Sequence, residues 1–373
     1  MSNTAAAIIA LDMGLLQPYT AVMPIARKHL VDDSAPGCFH CISRCVRRAF
    51  LCGDDAEHRR DWVREAIRSA ASAFAVDVLA YAVMSNHLHL VVRTDPVRVA
   101  DWSADTVARR WAAAHPRTGA DGNPVAWSEP DLAAHAGDAA WVAKTRARLR
   151  SLSWFMKSIK ERLARRANRA DRCTGHFWEG RFQSVPLLDH AAVLACMAYV
   201  DLNPIRAAIA DRPETSDYTS VQDRIRARQA QHHAAALLAQ PDAADLTPTL
   251  RHAAEAARAA GPEAGVWVAP IERASAGNAP AIIALDDYLT LVDETGRIIR
   301  SGKRGAIPAH LAPILDRLDL DLDAWLDLMR AAGSFLGGAF GRAAARAREA
   351  IRRGARWIVD VTRGLYREPE PTA

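Results

Sequence analysis

Residues Asp77–Arg93 read DVLAYAVMSNHLHLVVR, two β-rich runs (Asp77–Met84 and His87–Arg93) separated only by Ser85-Asn86. Runs at that spacing predict an antiparallel hairpin. Side chains alternate along a strand, so His87 and His89 share one face about 6–7 Å apart along the backbone, a gap two imidazoles can close on one ion. Leu88 and Leu90 fill the opposite, buried face. A bare His-x-His is weak evidence for a metal site, and two structural histidines are its ordinary meaning. Its value depends on what accompanies it in the chain.

On the N-terminal side, Cys38–Val46 alternates as a first strand, and Asp54–Ala75 reads as a helix with Trp62, Ile67 and Phe74 toward the core. On the C-terminal side, residues 96–145 break the rhythm with Pro, Gly, Asp and Trp and predict a partly helical insertion. Then come a strong helix over Leu149–Arg169, a turn leading into a strand over Gly175–Leu188, and a short apolar helix over His190–Leu202. The order strand, helix, strand, strand, helix, strand, helix predicts an α+β fold, a ferredoxin-like antiparallel sheet with helices on one face. Beyond Asp211 lie an Ala/Gln-rich helical stretch, linkers near Gln240 and Ser275, a short strand and turn over Leu285–Ile299, and helices from Pro308 to Arg367. The expected domains are 24–220 with its insertion at about 96–145, a helical and linker region at 221–280, and a mainly helical C-terminal domain at 281–367.

The chain has 373 residues, half of them hydrophobic, and a formal charge of +5. That length exceeds one minimal core, and the charge points only mildly to an acidic partner. No uncharged apolar run reaches the roughly 18 residues of a bilayer span. The apolar stretch in MSNTAAAIIALDMGLLQ has no basic region ahead of it, so a soluble, cytoplasmic, nucleoid-associated protein without a membrane partner is expected. Of the six cysteines, Cys38, Cys41, Cys45 and Cys52 are crowded, but on a strand Cys38 and Cys41 face opposite sides. They are therefore read as buried small hydrophobes rather than as a zinc site.

Three further segments bear chemistry. In AYVDLNPIRAA, Tyr199 and Asn203 are four residues apart and share a helical face. Pro204 is expected to start a new helix with Asn203 as its N-cap, and a core tyrosine beside an ordinary cap is the plain alternative. The helix SWFMKSIKERLARRANRADR carries Lys157, Lys160, Arg162, Arg165, Arg166, Arg169 and Arg172 against only Glu161 and Asp171, with Phe155, Ile159 and Leu163 on its core face. Such a stripe suits phosphate contact. After it, His176, Phe177, Trp178, Arg181 and Phe182 mix aromatics with a cation, a combination that grips unpaired bases.

Taken in order, CFHCISRCVRRAFLCG, YAVMSNHLHLVV, FMKSIKERLARRANR, GHFWEGRFQS and AYVDLNPIRA resemble the single-tyrosine HUH transposases, most of all the REP-associated tyrosine transposases of bacteria. The resemblance covers roughly 24–220 without the insertion. It implies a divalent ion, Mg²⁺ or Mn²⁺, held by His87 and His89 with Asn203 as third ligand, and Tyr199 as the nucleophile. It implies cleavage and rejoining of single-stranded or hairpin DNA through a 5′-phosphotyrosine, with Lys157, Lys160, Arg165, Arg166, Arg169, His176, Trp178 and Arg181 on the DNA. The assembly would be a monomer or homodimer. A catalytically inactive or domesticated regulator binding repeated palindromic elements is the alternative, and a zinc hydrolase is disfavoured because no further histidines stand in a ligand pattern.

Overall fold

The computed structural model describes residues 31–53, 56–119, 124–210, 212–239, 247–259, 263, 266–274, 283–299 and 343–352. Strand β1 (Gly37–Arg44) is followed by helix α1 (His58–Ala73) and by the hairpin of β2 (Val76–Val83) and β3 (His87–Thr94). The insertion contributes α2 (Ala104–Ala114), a two-residue ribbon, α3 (Glu129–Gly137) and α4 (Ala139–Leu149). Helix α5 (Leu152–Ala170) then leads to β4 (Gln183–Leu187) and α6 (His190–Asp201). The four strands form one antiparallel sheet in the order β2-β3-β1-β4. A β-α-β-β-α-β order with the two outer elements brought to the middle and edge in this way is the ferredoxin-like α+β topology.

Alternation divides the sheet into two apolar faces. Phe39, Cys41, Leu88, Leu90 and Val92 pack with Val63, Ile67 and Ala70 of α1 and Phe155, Ile159 and Leu163 of α5. Cys38, Ala80, Ala82 and Val91 pack on the other side against α6. The single helical face thus holds for the crossover helices α1 and α5 only. Helix α6 is apolar all round, as a helix buried on every side must be. Small residues on both partners, Ala80 and Ala82 on β2 and Ala191, Ala192, Ala195 and Ala198 on α6, form the contact. Asp189 starts α6 by accepting the Ala192 N–H at 2.9 Å.

After α6 the chain forms the short α7 (Asn203–Arg206), then α8 (Ser220–Leu238), α9 (Pro248–Ala259), α10 (Leu285–Ile299) and α11 (Ala343–Arg352). Two expectations are corrected. Leu285–Ile299 is a helix, not a strand and turn: Leu285, Tyr288, Leu291, Val292 and Thr295 recur at helical spacing and are buried. Gly296 lies so close to α6's end that an added Cβ would sit 3.1 Å from the Leu202 side chain. The boundaries at 220 and 281 do not separate cores among the described residues, because α10 packs in the same cluster as α6. The buried Arg224 of α8 joins these parts, donating to Glu263 (2.9 Å), to the carbonyl of Leu79 on β2 (2.9 Å) and to that of Ala269 (2.8 Å). Of the helices expected over 308–367, Ala343–Arg352 falls within the described residues and is helical.

Candidate active site

Antiparallel pairing brings to one face what the chain keeps apart. Arg44 lies opposite His87, Ile42 opposite His89 and His40 opposite Val91. Cross-strand partners project to the same side, so His40, Arg44, His87 and His89 all stand on the α6 face. The His87 and His89 rings lie 4.8 Å apart and nearly perpendicular. Both have their Nδ1 engaged. Asn86 donates its Nδ2 to the Arg48 carbonyl at 3.1 Å, which turns its Oδ1 to His87 Nδ1 at 2.6 Å. His89 Nδ1 meets His40 Nε2 at 2.9 Å. Burial holds His87 at about 4 and His40 at about 3, and burial with the neighbouring His87 keeps His89 well below the ordinary value. All three are therefore neutral at pH 7, with the Nε2 atoms of His87 and His89 left for a ligand.

Tyr199 comes to this cluster from α6. Its ring lies 5.8 Å from that of His89 and 5.9 Å from that of His40, edge-on to both. Leu202 keeps right-handed helical backbone angles between α6 and α7, so helical sense carries through and Leu202, not Asn203, is the N-cap position. Asn203 accordingly stays beside the Tyr199 phenol, close enough to act on its acidity. Arg206, seven residues after Tyr199, places its guanidinium carbon 4.9 Å from the ring centre. Burial pushes the phenol pKa above its usual value, and the charges of Arg206 and Arg44 work against that rise.

These groups suit a weakly enclosed divalent ion. Among the described residues no group of three or more His, Cys, Asp or Glu side chains is placed to hold a metal ion. Two neutral imidazoles with fixed Nδ1 atoms are what metal ligands require. Asn203 adds an amide whose Nδ2 is buried without a partner, and rotation of the amide exchanges that position with its oxygen. Two nitrogens and one amide oxygen could together hold a divalent ion, with positions left for water and phosphate oxygens.

No protein-family model matches the chain, and no curated protein matches it. Among solved structures it is similar to that of the REP-associated tyrosine transposase bound to a REP hairpin, at 12% identity and a TM-score of 0.31, over 51% of this chain and 79% of that one. A TM-score of this size does not by itself establish a shared fold.

The residues expected on DNA are distributed differently from the histidines. The stripe of α5 lies on the sheet face opposite His87 and His89, since α5 packs on Leu88 and Leu90. Lys157, Arg165, Arg166 and Arg169 are exposed there; Arg165 pairs with Glu161, and Arg166 lies 4.0 Å over the Trp62 ring. Lys160 instead donates to the Gly180 carbonyl at 2.7 Å. The stacking role expected of Trp178 is corrected: its ring is 8% exposed, packs in the core with Phe177 and Phe182, and donates its Nε1–H to the Lys160 carbonyl. His176 and Arg181 are exposed in the same segment. That segment is tied to the end of β1 at Arg44 and Val46, beside the histidines, through Glu179 N–H to Arg44 O and Val46 N–H to Phe177 O, both 2.9 Å. Cys38, Cys41, Cys45 and Cys52 are buried and in no disulfide, with Cys38 and Cys41 on opposite faces. His40, Arg44, Asn86 and Arg206 were not singled out. Arg206 carried a readable signal, its i+7 spacing from Tyr199; the β1 residues carried none, because strand register is not written locally.

Proposed function

We propose that this chain cuts and rejoins single-stranded DNA at a hairpin, with Tyr199 as the nucleophile. The observation that carries the reading is the convergence of Tyr199 with two neutral, Nδ1-fixed histidines on one face, flanked by Arg44 and Arg206. Tyr199 Oη forms a bond to phosphorus and gives up its proton. The bond from phosphorus to the 3′ oxygen breaks, and that oxygen leaves as a hydroxyl after gaining a proton. The resulting 5′-phosphotyrosine conserves the phosphodiester, so another 3′-hydroxyl can reverse the step without a nucleotide cofactor. Arg44 and Arg206 offer positive charge to the non-bridging oxygens, where charge must be met as the bonds exchange. His87, His89 and Asn203 would hold Mg²⁺ or Mn²⁺, which when bound withdraws further charge from those oxygens. The exposed Lys157, Arg165, Arg166, Arg169, His176 and Arg181 would carry the flanking phosphates.

The test is nicking of a labelled single-stranded hairpin by the wild type and by His87→Ala, His89→Ala. The variant is expected to fold and keep much of its DNA affinity while losing metal-dependent nicking. Full nicking by the double variant would end the metal-site reading, and wild-type binding without any nick would favour the DNA-binding regulator.

A further inference from the structure

His40 is the third imidazole of the site, and the proposed chemistry gives it no task. It is 2% exposed. Its ring lies nearly parallel to that of His89, planes 21° apart and centroids 5.1 Å apart, and the Tyr199 ring packs steeply inclined beside both. The contact that matters is the 2.9 Å between His40 Nε2 and His89 Nδ1. One of these nitrogens carries the proton and the other accepts it, and the choice determines what His89 presents at Nε2: a lone pair or an N–H.

The neighbouring histidine has no such choice. Asn86 Oδ1 can only accept, so His87 must donate its Nδ1–H and present an Nε2 lone pair. The amide of Asn86 is held in that orientation by the Arg48 carbonyl. Arg48 and its neighbour Arg47 adopt positive φ, 54° and 53°, a backbone state non-glycine residues seldom take. His87 is thus set in one tautomer by a specially built loop.

We infer that His40 is a positioning residue that does for His89 what Asn86 does for His87: its Nε2 accepts the His89 Nδ1–H and leaves the His89 Nε2 lone pair free beside that of His87. The inference rests on the reading of these two side chains as a cation site, because a cation needs both lone pairs at once. Water in place of His40 could donate or accept equally well and would fix neither tautomer. An imidazole packed against His89 and Tyr199 excludes that water, and the direction of the bond follows from the cation reading. Loss of such an orienting partner lowers metal affinity by about 10–100-fold.

The experiment uses the full chain. Long-range ¹H–¹⁵N correlation of the metal-free, ¹⁵N-labelled protein reads the His89 tautomer directly, and calorimetry measures Mn²⁺ affinity in wild type, His40→Gln and His40→Phe. The expected results are a proton on His89 Nδ1, Mn²⁺ affinity down about 10–100-fold in His40→Phe, and recovery in His40→Gln, whose Oε1 can accept. A proton on His89 Nε2 in the wild type, or unchanged affinity in folded His40→Phe, would overturn the inference. If His40→Phe does not fold, the wild-type spectrum alone decides. Wild type that binds no Mn²⁺ would overturn the cation reading instead, and the spectrum would still decide the tautomer.

Discussion

Tyr288 lies far in sequence from the histidines, yet its hydroxyl holds the helix that carries Tyr199. The ring is fully buried, and its O–H donates to Asp201 Oδ2 at 2.7 Å. Asp201, also fully buried, takes the Ser220 hydroxyl and the Val221 N–H on Oδ1, and burial raises its pKa against the nearby Arg224 charge. Tyr288→Phe keeps the ring and removes that donor, and leaving a buried acceptor unmet costs about 1–3 kcal/mol. For domains of roughly 150–250 residues each kcal/mol lowers the melting temperature by roughly 2–4 °C, so a fall of about 2–12 °C is expected. Truncation after Ala274 goes further, removing the buried Leu285, Tyr288, Leu291 and Val292. At about 1.5–3 kcal/mol each, that loss is comparable with the whole stability of a typical domain, about 5–15 kcal/mol. The truncated chain is therefore expected not to fold. Melting curves followed by circular dichroism check both variants. An unchanged Tm in Tyr288→Phe, or a truncated chain melting cooperatively at the wild-type temperature, would refute the idea that α10 belongs to the catalytic core.

Two other outcomes are expected. The folded pKa values of His40, His87 and His89 all lie below the ordinary 6.5, so their stabilisation is fully present above that pH and is lost as pH falls toward 4, where the unfolded chain takes up protons the fold refuses. His40 and His87 each contribute about 2 kcal/mol of loss between pH 6.5 and 5, and His89 acts in the same direction; equal urea midpoints for the metal-free protein at pH 7 and pH 5 would contradict this. Changing Lys157, Arg165 and Arg169 together to Ala is expected to weaken DNA binding and flatten its salt dependence, with the nicking rate at saturating DNA retained because the stripe and the histidines occupy opposite sheet faces. A wild-type salt slope would show that the stripe meets only solvent.

Much of the sheet could be read from local pattern. The Ser85-Asn86 hairpin, the two crossover helices and the shared face of His87 and His89 follow from periods of two and 3.6, and the structure has them. What stayed hidden depended on long-range pairing. His40 and Arg44 reach the site only through the register of β1 against β3. Trp178 was misread because an aromatic among cations looks the same whether it stacks on bases or fills a core. Leu285–Ile299 reads as a strand and turn, whereas burial of one helical face against the α6 cluster makes it a helix.

The most direct test concerns one oxygen atom. Tyr199→Phe keeps the ring that packs against His40 and His89 and removes the hydroxyl. With Mg²⁺ or Mn²⁺ and a 3′-labelled single strand carrying a hairpin, the wild type is expected to form an adduct that survives denaturation and maps to the peptide containing Ala198-Tyr199-Val200. The variant is expected to form none while melting and binding Mn²⁺ like the wild type. Cleavage that persists in Tyr199→Phe, or an adduct mapped to Tyr81, Tyr218 or another tyrosine, would contradict the assignment of Tyr199 as the nucleophile.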